Sequence, residues 1–153
     1  MAQIARWMRM RLARNHDGQG VCAGLAAAQP AAADPILVWL REAGACAFAL
    51  IAPMRLAPGR AWRWAAWGAM PAVATCRRYG LPAYLEGDAI WLHGKRVAPL
   101  SVARVGECAL IEGAFPPRLA GEPELETTFR ERVEAQHGWR FETAWPSGGE
   151  ARR

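Results

Sequence analysis

The stretch Tyr84-Leu85-Glu86-Gly87-Asp88-Ala89-Ile90-Trp91-Leu92-His93-Gly94-Lys95-Arg96-Val97-Ala98-Pro99 decides the fold. Two short apolar runs, Ala83 to Leu85 and Ala89 to Leu92, flank Glu86-Gly87-Asp88. His93-Gly94 follows as a two-residue turn signal. A second pair of runs, Arg96 to Val105 and Glu107 to Phe115, turns about Gly106. Strands joined so tightly pair antiparallel, because parallel neighbours need a crossover of about a dozen residues or more. The middle of the chain is therefore a run of hairpins.

Working outward, Ala61 to Tyr79 has helical spacing, with Trp64, Trp67, Val73 and Ala74 on one stripe. Pro71 is expected to kink this helix or start its second part, and Gly80 with Pro82 to end it. Upstream, Ala45 to Pro53 reads as a buried strand, Glu42 to Gly44 as a turn and Ile36 to Arg41 as a short strand. Pro30 to Pro35 and Arg55 to Arg60 read as loops. Val21 to Gln29 is small and apolar and suits another buried strand. Ile4 to Arg14 fits an amphipathic helix, with Ile4, Trp7, Met8 and Leu12 on one face and arginines on the other. Asn15-His16-Asp17-Gly18 is expected to stop it. Downstream, Glu122 to His137 reads as a helix with Leu125, Phe129 and Val133 recurring every four residues, and Gly138 stops it. Trp139 to Trp145 adds a strand, and residues 146–153 read as a flexible tail. With no repeat and no linker, residues 1–145 form one domain.

Composition narrows the function classes. Apolar residues make up 52% of the 153 and charged residues 22%, which is globular rather than disordered. The longest apolar run, Ala43 to Pro53, is too short for a membrane span. The N-terminus lacks a secretory pattern, so a cytoplasmic location is expected. Cys22, Cys46, Cys76 and Cys108 have no metal-ligand spacing, alone or with His16, His93 and His137, and read as buried small hydrophobes. No metal site is expected. The net charge of +5 comes from eighteen arginines and one lysine, Lys95, spread along the chain. No basic run marks a nucleic-acid patch, although an Arg-rich first helix keeps a nucleic-acid-binding module open.

The order of elements and four landmarks resemble the biotin and lipoate protein ligase superfamily over about Gln19 to Phe115. Gln29 stands where the family has the Gln leading into a Gly/Arg-rich ligand loop. Trp39 and Gly44 stand where it has a Trp and then the Gly before a strand, here Phe48-Ala49-Leu50-Ile51. Tyr84-Leu85-Glu86-Gly87-Asp88 lines up with its Lys-Trp-Pro-Asn-Asp motif. His93-Gly94-Lys95-Arg96-Val97-Ala98-Pro99 is similar to its Gly-Arg-Lys-Leu-Ala-Gly hairpin. The resemblance implies an α+β fold: a mixed, largely antiparallel sheet with helices packed on one face. It also implies that the family's first strand and helix cap are missing here, and so is the accessory domain of the biotin enzymes.

Such ligases activate a carboxylate with ATP and pass the acyl group to a lysine. Bringing two oxyanions together requires positive charge and close backbone approach. Here the loop reads Ala31-Ala32-Ala33-Asp34-Pro35, without Arg or Gly. In this register Arg96 takes the place of the family's hairpin lysine, Lys95 is one residue early, and Pro99 replaces a Gly. Tyr84 and Gly87 replace a Lys and an Asn, and only Asp88 is kept. The resemblance makes Arg96 and Lys95 the catalytic candidates and Gln29, Trp39, Tyr84, Asp88 and Pro99 the ligand-binding ones. Asp88 also suits a turn role, Trp39 the core, and the Lys95–Arg96 pair a solvated hairpin; Trp62 is a candidate for an interaction surface.

The expected function is a non-catalytic or repurposed ligase-like domain that binds a protein partner or a small carboxylic acid. No cofactor goes with that reading. The alternative is an active acyl-protein ligase of the biotin, lipoate or octanoate type, which would take ATP and magnesium. A homodimer is compatible with either.

Overall fold

The computed structural model describes residues 2–11, 17–42 and 44–143, with residues 17–20 by backbone alone. The chain opens with a strand, β1 (Gln3–Arg11), where the sequence suggested a helix. Its neighbours explain the misreading. β1 lies inside the sheet, so Trp7 and Met8 are both buried although they point to opposite faces. Burial on both sides erases the alternation that marks a half-exposed strand. Helix α1 (Asp17–Ala27) then replaces the expected strand at Val21–Gln29. Its segment is rich in Ala and lacks the β-branched and aromatic residues that favour strands, apart from Val21. Asp17 and Gly18 begin this helix rather than stop an earlier one. A first strand followed by a helix is thus present, which corrects the expectation that the family's opening strand is missing.

The elements that follow match the reading closely. They are β2 (Ile36–Glu42), β3 (Ala45–Pro53) and α2 (Trp64–Arg78), the last preceded by a short 3-10 turn over Ala61–Arg63. The hairpins are β4 (Tyr84–Glu86), β5 (Ala89–Leu92), β6 (Lys95–Val105) and β7 (Cys108–Ala114). His93 and Gly94 both have positive φ, 53° and 75°, as the tight turn requires. A 3-10 turn (Pro117–Leu119), α3 (Leu125–His137) and β8 (Trp139–Thr143) complete the described chain. Gly138, in the left-handed region at φ 70°, ends α3. The expected stop at Asn15-His16 and the tail at 146–153 lie outside the described residues.

The eight strands run in the order β4-β5-β6-β7-β3-β2-β1-β8. β1 pairs parallel with both β2 and β8, and every other pair is antiparallel. The fold is α+β with a mixed sheet, as expected. One-sided helix packing holds for α2 and α3 only. They cover the face carrying Trp7, Trp39, Phe48, Leu50 and Ile111. α1 covers part of the other face through Cys22, Leu25 and Ala26, over Ala49, Ile51, Cys108 and Leu110.

α2 runs unbroken through Pro71. Proline removes the N–H that would bond the carbonyl four residues back, at Trp67. The Gln136 side chain of α3 supplies the missing donor, with Nε2 to Trp67 O at 3.1 Å. At the centre of the sheet, Gly113 leaves no room for a larger residue. A Cβ there would lie 2.7 Å from Leu100 and 2.8 Å from Phe48, which is fully buried. Gly113→Ala is therefore expected to lose about 2 kcal/mol in urea unfolding, the usual scale of overpacking. Gly121→Ala, with nothing within 4 Å, serves as the neutral control.

Candidate functional site

Arg96 and Asp88 are brought together by the β5–β6 hairpin, with Arg96 Nη2 3.4 Å from Asp88 Oδ2. The two side chains are 50% and 81% exposed, so the pair contributes less than about 1 kcal/mol. Arg96 lies opposite Trp91, and Tyr84 lies opposite Trp91 from the other side. Tyr84, Trp91 and Arg96 thus form a row across three strands. The row faces away from α2 and α3: Trp91 alternates with Ile90 and Leu92, which belong to the core beneath those helices, and a bulge at Val97 brings Arg96 into register with Trp91. Lys95 lies opposite Leu92, a core residue, and so on the other side of the strand from Arg96. Pro99 is exposed and lies opposite Ala89.

The remaining two candidates are elsewhere. Gln29 is buried just past α1, and its Nε2 donates to Leu25 O at 3.0 Å, satisfying a carbonyl at the helix end. Trp39 is 3% exposed on the helix-covered face, with its ring 6.2, 5.6 and 5.8 Å from those of Trp7, Phe115 and Phe129. It is a core side chain, separated by the sheet from the Arg96 row. The alanine loop does have an arginine beside it. Arg55 Nη1 donates to Ala31 O at 3.2 Å and Ala33 O at 2.9 Å, so its guanidinium holds the loop. Trp62 is 77% exposed, with the Arg63 guanidinium 5.9 Å from its ring centre.

Arg6, Arg9 and Arg11 lie on β1 and not on the basic helix that the nucleic-acid alternative called for. Arg9 instead donates to Glu126 Oε2 at 2.7 Å, which also accepts from Trp7 Nε1 at 2.7 Å. This ties α3 to β1. Among the described residues no His, Cys, Asp or Glu group could hold a metal ion, and no helix is long and apolar enough to cross a membrane. All four cysteines are buried as free thiols, and burial pushes Cys22 up to about 12 and Cys76 to about 11.

One functional candidate escaped the sequence reading. Glu112 stands on β7 between Ser101 of β6 and Ala49 of β3, on the face away from α2 and α3. It is half-buried, and desolvation raises its carboxyl above the usual range. Among the described residues it has no hydrogen-bond or ion-pair partner. The available signal was a lone acid inside the apolar strand Cys-Ala-Leu-Ile-Glu-Gly-Ala.

No family model and no curated protein sequence matches the chain. Solved structures do. The bipartite lipoate protein ligase of an archaeal lipoylation system from Thermoplasma acidophilum superposes with a TM-score of 0.79 at 9% identity, over 98% of this chain and 90% of that one. A lipoate-protein ligase A bound with ATP gives 0.73 at 10% identity, over 99% and 92%. The biotin protein ligase from Aquifex aeolicus gives 0.60 at 7% identity, over 89% and 69%. The chain has the fold of the biotin/lipoate protein ligase catalytic domain.

Proposed function

We propose that this chain is a non-catalytic, ligase-like domain that binds a partner or small ligand on the sheet face opposite α2 and α3. One observation carries the reading, the charge on that face. Arg96 is paired with Asp88, and Glu112 has no counter-charge among the described residues. A site that activates a carboxylate with a nucleotide must gather two anions, and at Glu112 this face meets them with a carboxylate. The fold supports the placement, since it is shared with lipoate and biotin ligases.

The protein is expected to give no acyl-adenylate and no pyrophosphate with ATP–magnesium and biotin, lipoate or octanoate. It should also show no thermal shift with those mixtures. Turnover with any of the three acids, abolished by Arg96→Ala, would sink the reading and establish the ligase alternative.

A further inference from the structure

We propose that the solvent-facing side of α2 docks an amphipathic helix of a partner protein, apolar along its middle and carrying carboxylates at both ends. This surface lies across the sheet from the face of Arg96 and Glu112, so the inference goes beyond the reading above. An exposed helix ordinarily turns charged and polar side chains to water. α3 does so with Thr127, Glu131, Arg132 and Gln136, all exposed. α2 has no charged residue before Arg77. Its one polar side chain, Thr75, is buried and donates to Pro71 O at 2.8 Å. Trp62, Ala66, Met70 and Ala74 recur every four residues, from the 3-10 turn into the helix, and so share one side. Trp62 is 77% exposed, Ala66 is exposed, and Met70 and Ala74 are partly so. A continuous apolar strip with an exposed tryptophan at its end has the make-up of an interface.

Size and charge decide what covers it. Ala66 and Ala74 keep the strip shallow, so a second helix can come close and fill the space with larger side chains. Arg60 and Arg63 flank one end of the strip and Arg77 and Arg78 the other, all of them exposed and separated by about 20 Å along the axis. Among the described residues none of these arginines is ion-paired. Arg77 is held in place by its Nε, which donates to Ala83 O at 3.0 Å. A second copy of α2 would set arginine against arginine whichever way it ran. A membrane surface would meet the arginines but gain little from alanines. A helix with leucine-sized side chains between two acidic ends complements both features.

The probe is a synthetic helical peptide of about 18 residues, with Leu on one face, Gln on the other and Glu pairs at both ends. A twin peptide carries Lys in place of Glu. Each is titrated into the full chain and followed by amide NMR. The acidic peptide should shift the amides of Trp62, Ala66, Met70, Ala74 and Arg78, and should bind about tenfold or more tightly than its twin. Trp62→Ala and Ala66→Glu should each weaken it about tenfold or more. Both positions are exposed, and unfolding curves check that the variants stay folded. Glu131→Gln, on the outer side of α3, should leave binding unchanged. No binding, equal affinity for the two peptides, or shifts confined to the opposite sheet face overturns the proposal. So does dimerisation in sedimentation that Ala66→Glu removes, or binding of phosphatidylglycerol vesicles in preference to the peptide.

Discussion

Replacing Phe129 with alanine is expected to lower the free energy of unfolding by about 3–5 kcal/mol, the usual range for a buried aromatic. Phe129 is fully buried on α3. Its ring lies 6.2 Å from Trp7, 5.8 Å from Trp39, 5.0 Å from Phe48 and 5.1 Å from Phe115. Those four rings come from β1, β2, β3 and the segment after β7, so one side chain joins four separate parts of the fold. Truncation leaves a void whose walls are held by the sheet and cannot close on it. A domain of this size has about 5–15 kcal/mol in total, so the loss is a large share. Urea unfolding checks it, with Phe129→Leu as the milder comparison. A loss below about 1 kcal/mol for the alanine variant would show that the ring cluster is not the centre of the core.

Acid is expected to destabilise the protein through His137. Its ring stacks on Trp139 at 4.5 Å and meets Trp67 edge-on at 4.6 Å, and its buried Nε2 has no hydrogen-bond partner among the described residues. Burial lowers its pKa from 6.5 to about 4. The folded state therefore keeps the ring neutral while the unfolded chain takes up a proton. Stability from this group is full above about pH 6.5, falls as the pH drops, and levels off below about 4. The gap corresponds to about 3 kcal/mol. Glu112 acts in the opposite direction: its raised carboxyl costs stability at neutral pH and relieves that cost on protonation. The clean measurement is the difference between the native protein and His137→Phe in urea unfolding from pH 8 to pH 4. That difference should shrink by about 3 kcal/mol toward the acid end. A difference independent of pH would mean that His137 is not held neutral.

The parts of the fold that sequence made legible are those where local chemistry and tertiary position agree. The turns at His93-Gly94, Gly106 and Gly138 need positive φ and carry residues that allow it. Leu125, Phe129 and Val133 bury one stripe of α3 and nothing else on it is fully buried. β1 was illegible because neighbours on both edges and cores on both faces hide its period. α1 was illegible because small residues say little about which element they build. The same limit applies to the site. Hairpin spacing was enough to bring Arg96 to Asp88. It could not show that Trp39 belongs to the opposite face, which depends on strand parity relative to helices far away in sequence. Glu112 was visible as an acid in an apolar strand, but its isolation depends on what β3, β6 and α1 place around it.

The pairing of Gln3 with Trp139 has a consequence for how the molecule is made. β1 has β2 on one edge, and it waits for β8 on the other. Trp7 waits for Phe129, Phe141 and the carboxylate of Glu126, all contributed by the last described elements. During synthesis the first strand is finished long before α3 and β8 exist, and Trp39 of β2 is the one ring of its cluster made soon after Trp7 itself. Contacts spanning nearly the whole length are slow to form, since a large loop must close before they repay it. Pairing of β1 with β8 is therefore expected late in folding, after the local hairpins have formed.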